Sequence, residues 1–229
     1  MNERELLDEQ LAYYRARASE YDQWFLRQGR YDYGPEHRAE WFREVATIES
    51  ALLPVVNQKE VLELACGTGL WTRHLAKAST KIVALDASPE VIALNRQRVR
   101  ATNVEYRVAD IFAWQPDATF DVLFFSFWLS HVPPTRFDSF WAMVRRALKP
   151  EGCAFFVDSL LEQSSTARDH APVDRSGVVC RRLNDGREFR IVKMFYEPVV
   201  LEQRLLEIGW RGQVHRTGKF FVYGAMTPV

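Results

Sequence analysis

The residues with the clearest chemical purpose lie in the run Val61-Leu62-Glu63-Leu64-Ala65-Cys66-Gly67-Thr68-Gly69-Leu70-Trp71. An apolar strand carrying one carboxylate passes through small residues and two glycines straight into a helix, which is how a strand–helix unit opens a nucleotide site. Gly67 and Gly69 let a ligand lie against bare backbone. A second candidate is His131, in Phe127-Trp128-Leu129-Ser130-His131-Val132-Pro133-Pro134, just past another apolar strand, where open α/β sheets expose their cleft. An imidazole with a pKa near ~6.5 is able to take a proton from an amine, hydroxyl or enol at neutral pH. The alternative is a histidine that only bonds backbone in a proline-rich turn.

The glycine turn discriminates between two kinds of ligand. A dinucleotide needs its pyrophosphate at the helix N-terminus and a small residue three positions after the second glycine, where this chain has Thr72 beside the bulky Trp71. Glu63 would repel a pyrophosphate and attract a cationic amino group. The turn therefore suits a zwitterion better than a diphosphate.

These residues need a sheet to hold them. Segments rich in β-branched and aromatic residues predict strands over Val61 to Leu64, Lys81 to Leu85, Val104 to Val108, Asp121 to Ser126, Ala154 to Asp158, Arg190 to Tyr196 and Phe220 to Ala225. The unbroken apolar run from Val122 to Phe125 predicts a central strand buried on both faces. Amphipathic stretches predict helices over Trp71 to Ala78, Pro89 to Arg100, Arg136 to Ala147 and Pro198 to Ile208, the second opened by a Ser88 cap and a first-turn proline. Gly152 and Gly209 are expected to supply left-handed backbone where helices end. The expected fold is a Rossmann-like α/β domain spanning 1–229. Its seven-stranded, mostly parallel sheet has a reversed last strand and helices on both faces. A helical lid occupies 1–57, the cofactor core 58–159, and a substrate-side insertion with the last strands 160–229.

In its motifs the chain resembles the class I S-adenosylmethionine-dependent methyltransferases, whose first motif is an acidic residue followed by a small-x-Gly-x-Gly turn. Ala65 stands where the stricter motif has its first glycine. Asp86, ending Val83-Ala84-Leu85-Asp86-Ala87-Ser88, matches the family's ribose ligand; a carboxylate has two acceptor oxygens for a vicinal diol. Asp110-Ile111 resembles the family's adenine-edge contact, and Phe120 to Phe127, through Ser126, its fourth motif. The resemblance covers Val61 to Asp158 and implies S-adenosylmethionine bound by Glu63, Ala65, Gly67, Gly69, Asp86, Ala87, Asp110, Ile111, Ser126 and Phe127. Tyr14 and Tyr21, seven residues apart on one helical face, resemble the family's N-terminal lid element closing over the methionine part.

The implied activity is methyl transfer to a nitrogen, oxygen or carbon of a small molecule, with His131 as the candidate base and Trp128, His131 and Arg182 as acceptor contacts. Arg181, Arg187 and His170 share the arginine-rich insertion with Arg182, which would recognise an anionic acceptor or simply be solvated. The motifs leave open an intramolecular reaction of the cofactor releasing methylthioadenosine, and a non-catalytic cofactor-binding module. With 30 basic and 30 acidic side chains, the chain has no electrostatic footprint for nucleic acid. No apolar stretch approaches the ~20 residues of a membrane span. Three widely spaced cysteines predict neither zinc nor disulfides. No metal site, a cytoplasmic location and a monomer or homodimer are the corresponding expectations.

Overall fold

The computed structural model describes residues 2–172 and 175–229. Its strands are β1 (Glu60–Leu64), β2 (Lys81–Asp86), β3 (Val104–Val108), β4 (Phe120–Ser126), β5 (Leu148–Ser159), β6 (Gly177–Arg182), β7 (Glu188–Lys193), β8 (Trp210–Arg216) and β9 (Phe221–Pro228). The helices are α1 (Glu3–Ala16), α2 (Tyr21–Phe25), α3 (Pro35–Val56), α4 (Thr72–Ala78), α5 (Pro89–Val99), α6 (Phe137–Arg146) and α7 (Pro198–Glu207). Among the described residues no helix is long and apolar enough to cross a membrane.

Seven strands form one sheet in the order β3-β2-β1-β4-β5-β9-β8, with β9 antiparallel to both neighbours. The apolar run 122–125 does occupy the middle strand, β4. Alternation along each strand sends residues to two covered faces. Leu62, Leu64, Leu123, Phe125 and Phe156 pack with Phe140 and Trp141 of α6, whereas Val61, Ile82, Val122, Phe124 and Val157 pack with Trp41, Ile48 and Leu52 of α3. Strand order reverses between β1 and β4, so their carboxyl ends diverge into a cleft.

Two expectations are corrected. The segment 190–196 is not a strand of the main sheet: β7 pairs with β6 in a separate antiparallel hairpin, and the place in the main sheet belongs to β8. Strand β8 reads Trp-Arg-Gly-Gln-Val-His-Arg, polar because it is an edge strand with one side open, so apolar content hid it. Gly152 lies in β5 without a positive φ; a Cβ there would come within 3.0 Å of the Lys149 and Phe120 carbonyl oxygens, so close approach excludes a side chain. Gly209, by contrast, has φ +80° after α7, as expected.

The Ser88 cap also forms, accepting from the Val91 N–H at 3.2 Å. Helix α1 opens with a reciprocal capping box between Asn2 and Glu5. It lies along the outer edge of β7, where side chains and a loop carbonyl replace a missing strand. Arg190 N donates to Glu9 Oε1 at 2.6 Å, Val192 N to Gln10 Oε1 at 3.0 Å, and Met194 N to the Ser130 carbonyl at 2.8 Å. The helical N-terminus, the hairpin and the loop after β4 thus meet over the cleft.

Candidate active site

At the switch point lies a cavity of about 470 Å³, within the ~300–1,000 Å³ range of small-molecule sites. The turn after β1 supplies Ala65 and Gly67; the end of β2 supplies Asp86, Ala87 and Ser88. Asp110 and Ile111 follow β3, while Ser126, Phe127, Trp128 and His131 follow β4. Helix α1 forms the roof with Leu7, Gln10, Leu11 and Tyr14, and Tyr21 of α2 closes one side.

The Asp86 carboxylate is locked by backbone donors: Gly67 N to Oδ2 and Ser88 N to Oδ1, both at 3.0 Å. Each oxygen keeps acceptor capacity for one hydroxyl of a vicinal diol. Burial raises its pKa, and the Ser88 and Gly67 N–H groups oppose that rise. Ala65 at φ +50° and Phe127 at φ +52° hold left-handed backbone without being glycine, one at the end of each central strand. Such conformations cost energy and persist where the surroundings impose them.

Two residues of the expected cofactor set stand behind the cavity wall. Gly69 has φ +88°, and a Cβ there would meet Asn95 Oδ1 at 2.5 Å, so it serves close packing of the turn on α5. Glu63 is 1% exposed beneath the turn, with neither carboxylate oxygen in hydrogen-bond reach of a partner. Burial pushes its carboxyl up to about 8, a rise the neighbouring Thr72 side chain only partly opposes. A raised folded-state pKa contributes stability that is complete below the unfolded value near 4.5 and is lost as pH rises through about 8. Between pH 5 and pH 8, Glu63→Gln should therefore lose less stability than the parent protein, by roughly 3–4 kcal/mol. Urea unfolding at both pH values measures this, and identical pH slopes in the two proteins would refute it.

Beside the large cavity lies a smaller one of about 60 Å³, and Tyr14, Tyr21, Phe127 and His131 belong to the walls of both. Arg17, Arg181 and Lys193 line the smaller cavity and are each at most 9% exposed. Alternation explains how the hairpin contributes: Val179 and Arg181 of β6 face inward, as do Ile191, Lys193 and Phe195 on and after β7. Lys193 donates to Ser130 Oγ at 2.8 Å and lies 3.4 Å from Asp158 Oδ1. Among the described residues neither Arg17 nor Arg181 makes an ion pair with a carboxylate; Arg17 lies against the Tyr21 ring at 4.9 Å and donates to the Tyr31 hydroxyl at 3.4 Å. Burial holds Lys193 and Arg181 below their usual pKa range, and burial with Arg181 close by pushes His170 down to about 4. Arg17 and Arg181, buried without a carboxylate partner among the described residues, mark a place that favours an anion, with the Asp158-paired Lys193 beside them.

Arg182 is corrected by the same alternation. It points outward, exposed, and pairs with Glu188 Oε1 at 2.5 Å; Arg187 pairs outside with Asp185. Arg181 and His170 take the inner positions. Arg17, Lys193 and Gln10 were absent from the sequence-level site. Arg17 had a signal in its spacing, three residues from Tyr14 and four from Tyr21, although α1 ends at Ala16 and Tyr21 opens α2 instead of sharing one helical face with Tyr14. Gln10 shared that spacing, four residues before Tyr14, whereas Lys193 had no signal, because only the hairpin's docking brings it to the cleft.

His131 is 5% exposed, and its Nδ1 lies 2.6 Å from the Val192 carbonyl oxygen, so Nδ1 must carry the proton. Nε2 is then an acceptor, and the Tyr14 hydroxyl donates to it at 2.7 Å. Burial, reinforced by Lys193, holds the imidazole well below its ordinary pKa. Asp22 of α2 latches onto the glycine turn, accepting from Thr68 Oγ1 at 2.5 Å and pairing with Arg98.

Known proteins resemble this chain in sequence and fold. The family model described as "Methyltransferase domain" matches residues 61–152. The solved DhpI–SAM–HEP complex is 39% identical, with each chain covering 100% of the other and a TM-score of 0.80. The DhpI–SAH complex is 38% identical at a TM-score of 0.79, over 99% of this chain and 98% of that one. A demethylmenaquinone methyltransferase of Tropheryma whipplei is 31% identical over 102 residues, 44% of this chain and 42% of that protein. The chain thus spans less than half the length of the curated relatives it matches first. The cavity fits the S-adenosylmethionine that these comparisons imply: a backbone-locked carboxylate at the end of β2, bare backbone at Gly67 and the unpartnered Glu63 carboxyl below it.

Proposed function

Because the chain belongs to the class I S-adenosylmethionine-dependent methyltransferases, we propose that it methylates a small acceptor bearing a negatively charged group. The observation that carries this reading is the trio Arg17, Arg181 and Lys193, buried around a cavity that shares four wall residues with the cofactor cavity. Bound S-adenosylmethionine supplies an electrophilic methyl group on a cationic sulfur. Asp86 would hold the sugar hydroxyls, with Asp110 at the adenine edge and Glu63 as a buried, neutral carboxyl beneath the turn. The three cations would anchor the acceptor, so that charge attraction, not apolar contact, fixes the distance and line of approach that displacement requires. Phe127, Tyr21 and Trp24 would exclude water from the seam; the Trp24 ring lies edge-on to Phe127 at 4.7 Å.

His131 enters this scheme as a positioning group instead of a base. Its Nε2 lone pair already receives the Tyr14 hydroxyl, and its proton affinity is depressed, so taking a proton would require breaking that bond inside a cationic pocket. An acceptor that reacts through an oxyanion needs no base.

Incubation of the protein with S-adenosylmethionine and a panel of small carboxylates, sulfonates and phosphoryl compounds, each beside a neutral isostere, tests the proposal. S-adenosylhomocysteine should accumulate with an anionic compound and at least ~100-fold less with its neutral partner, as expected when charge-assisted hydrogen bonds are lost. Equal turnover of the neutral compounds, or methylthioadenosine release without any acceptor, would overturn it.

A further inference from the structure

Gln10 of α1 is 3% exposed and makes two hydrogen bonds across three elements. Its Oε1 accepts from Val192 N at 3.0 Å on β7, and its Nε2 donates to the His131 carbonyl at 3.2 Å in the loop after β4. The orientation of the amide is forced, because an N–H needs an acceptor and a carbonyl needs a donor. The Val192 carbonyl in turn receives the His131 Nδ1–H at 2.6 Å. Gln10, His131 and Val192 thus close a ring of three hydrogen bonds. His131 Nε2 leads out of it and takes the Tyr14 hydroxyl at the wall common to both cavities.

We propose that Gln10 is a positioning residue: the ring it closes fixes His131 as the neutral Nδ1–H tautomer and thereby aims the Tyr14 hydroxyl away from the acceptor and into the imidazole. If the Val192 carbonyl moved out of reach of Nδ1, the imidazole could take the other tautomer, and an Nε2–H toward Tyr14 would turn that hydroxyl into an acceptor. The three-way bond also explains a polar side chain on the buried face of α1, where leucine would pack as well and form no such bonds. The kinetic part of this inference rests on the methyl-transfer reading above; the tautomer part does not.

The test uses full-length protein labelled with ¹⁵N-histidine, with S-adenosylhomocysteine added. Wild-type His131 should give the signature of a single neutral Nδ1–H tautomer; the opposite tautomer, or an imidazolium at neutral pH, overturns the proposal whether or not an acceptor is known. Gln10→Glu is nearly isosteric and still accepts from Val192, but its carboxylate has nothing to donate to the His131 carbonyl. Gln10→Met removes both bonds. Both variants should show mixed His131 tautomers and a kcat about 10-fold lower, the loss expected from one misplaced buried hydrogen bond. Calorimetric cofactor affinity should change less than about threefold, a split that general loosening of the lid would not produce. Unchanged His131 signals in both variants, or kcat within about twofold of wild type, overturns it. If S-adenosylhomocysteine fails to bind the wild-type protein, the methyl-transfer reading fails instead, while the tautomer of the unliganded protein still decides the inference.

Discussion

Asp86→Ala should weaken S-adenosylhomocysteine binding by about 100- to 1,000-fold in a calorimetric titration. A carboxylate accepting two hydroxyl hydrogen bonds in a largely buried site contributes ~1.5–3 kcal/mol per bond, and each 1.4 kcal/mol is tenfold in affinity. The effect is large because the structure has oriented Asp86 in advance. Gly67 N and Ser88 N hold one oxygen each, so the group loses little freedom when a ligand arrives. Asn is no substitute, since its amide nitrogen would face one of those two N–H groups donor to donor. Asp110→Ala serves as the comparison: that residue is exposed, with Phe112 N donating to its Oδ1 at 3.0 Å, and its loss should cost about 10-fold or less. Equal losses at the two positions would mean that Asp86 has no special hold on the cofactor.

Arg181→Met should separate binding from stability in opposite directions. The KM for an anionic acceptor should rise about 100-fold, since a buried guanidinium bonding an anion is worth ~3 kcal/mol, while cofactor affinity stays near normal. At the same time the unliganded variant should unfold at a higher temperature than its parent. Arg181 is buried, lacks a carboxylate partner among the described residues, and lies near Arg17, so the empty pocket holds cations that repel one another. Replacing a desolvated, unpaired charge by an apolar chain of similar volume removes a desolvation penalty of several kcal/mol per ion. A residue that merely braces the hairpin would lower both acceptor binding and melting temperature, and that outcome would refute an anion-binding pocket.

The inner and outer arginines show where tertiary structure decided the site. Arg181 and Arg182 are adjacent and chemically identical, and only the pairing of β6 with β7 and the docking of that hairpin on α1 sends one inward and the other to Glu188. A strand's side-chain period of two makes a one-residue difference a change of face. Nothing local in 177–193 announces which face will be covered, because the covering helix is near the other end of the chain. His131 illustrates the same division. Its position past β4 was readable, but its neutral state follows from Val192, Lys193 and Tyr14, which arrive from 60 and more residues away in sequence.

The cofactor half was legible because its chemistry is local. The turn from 61 to 71 and the carboxylate at 86 sit at the ends of plainly apolar strands, the pair 110–111 follows the alternating edge strand β3, and a parallel sheet brings successive strand ends to one edge. Sequence alone therefore located the first five strands, the central place of β4, the reversed final strand and most of the strand-end residues that line the large cavity. The three-dimensional fold decided that β8 and not the 190–196 segment completes the sheet, that Glu63 and Gly69 stand behind the wall, and that Arg17, Arg181 and Lys193 converge. The physical reason is range: strand propensity, capping and glycine turns act over a few residues, whereas electrostatics inside a cavity depends on groups that only long-distance packing makes neighbours.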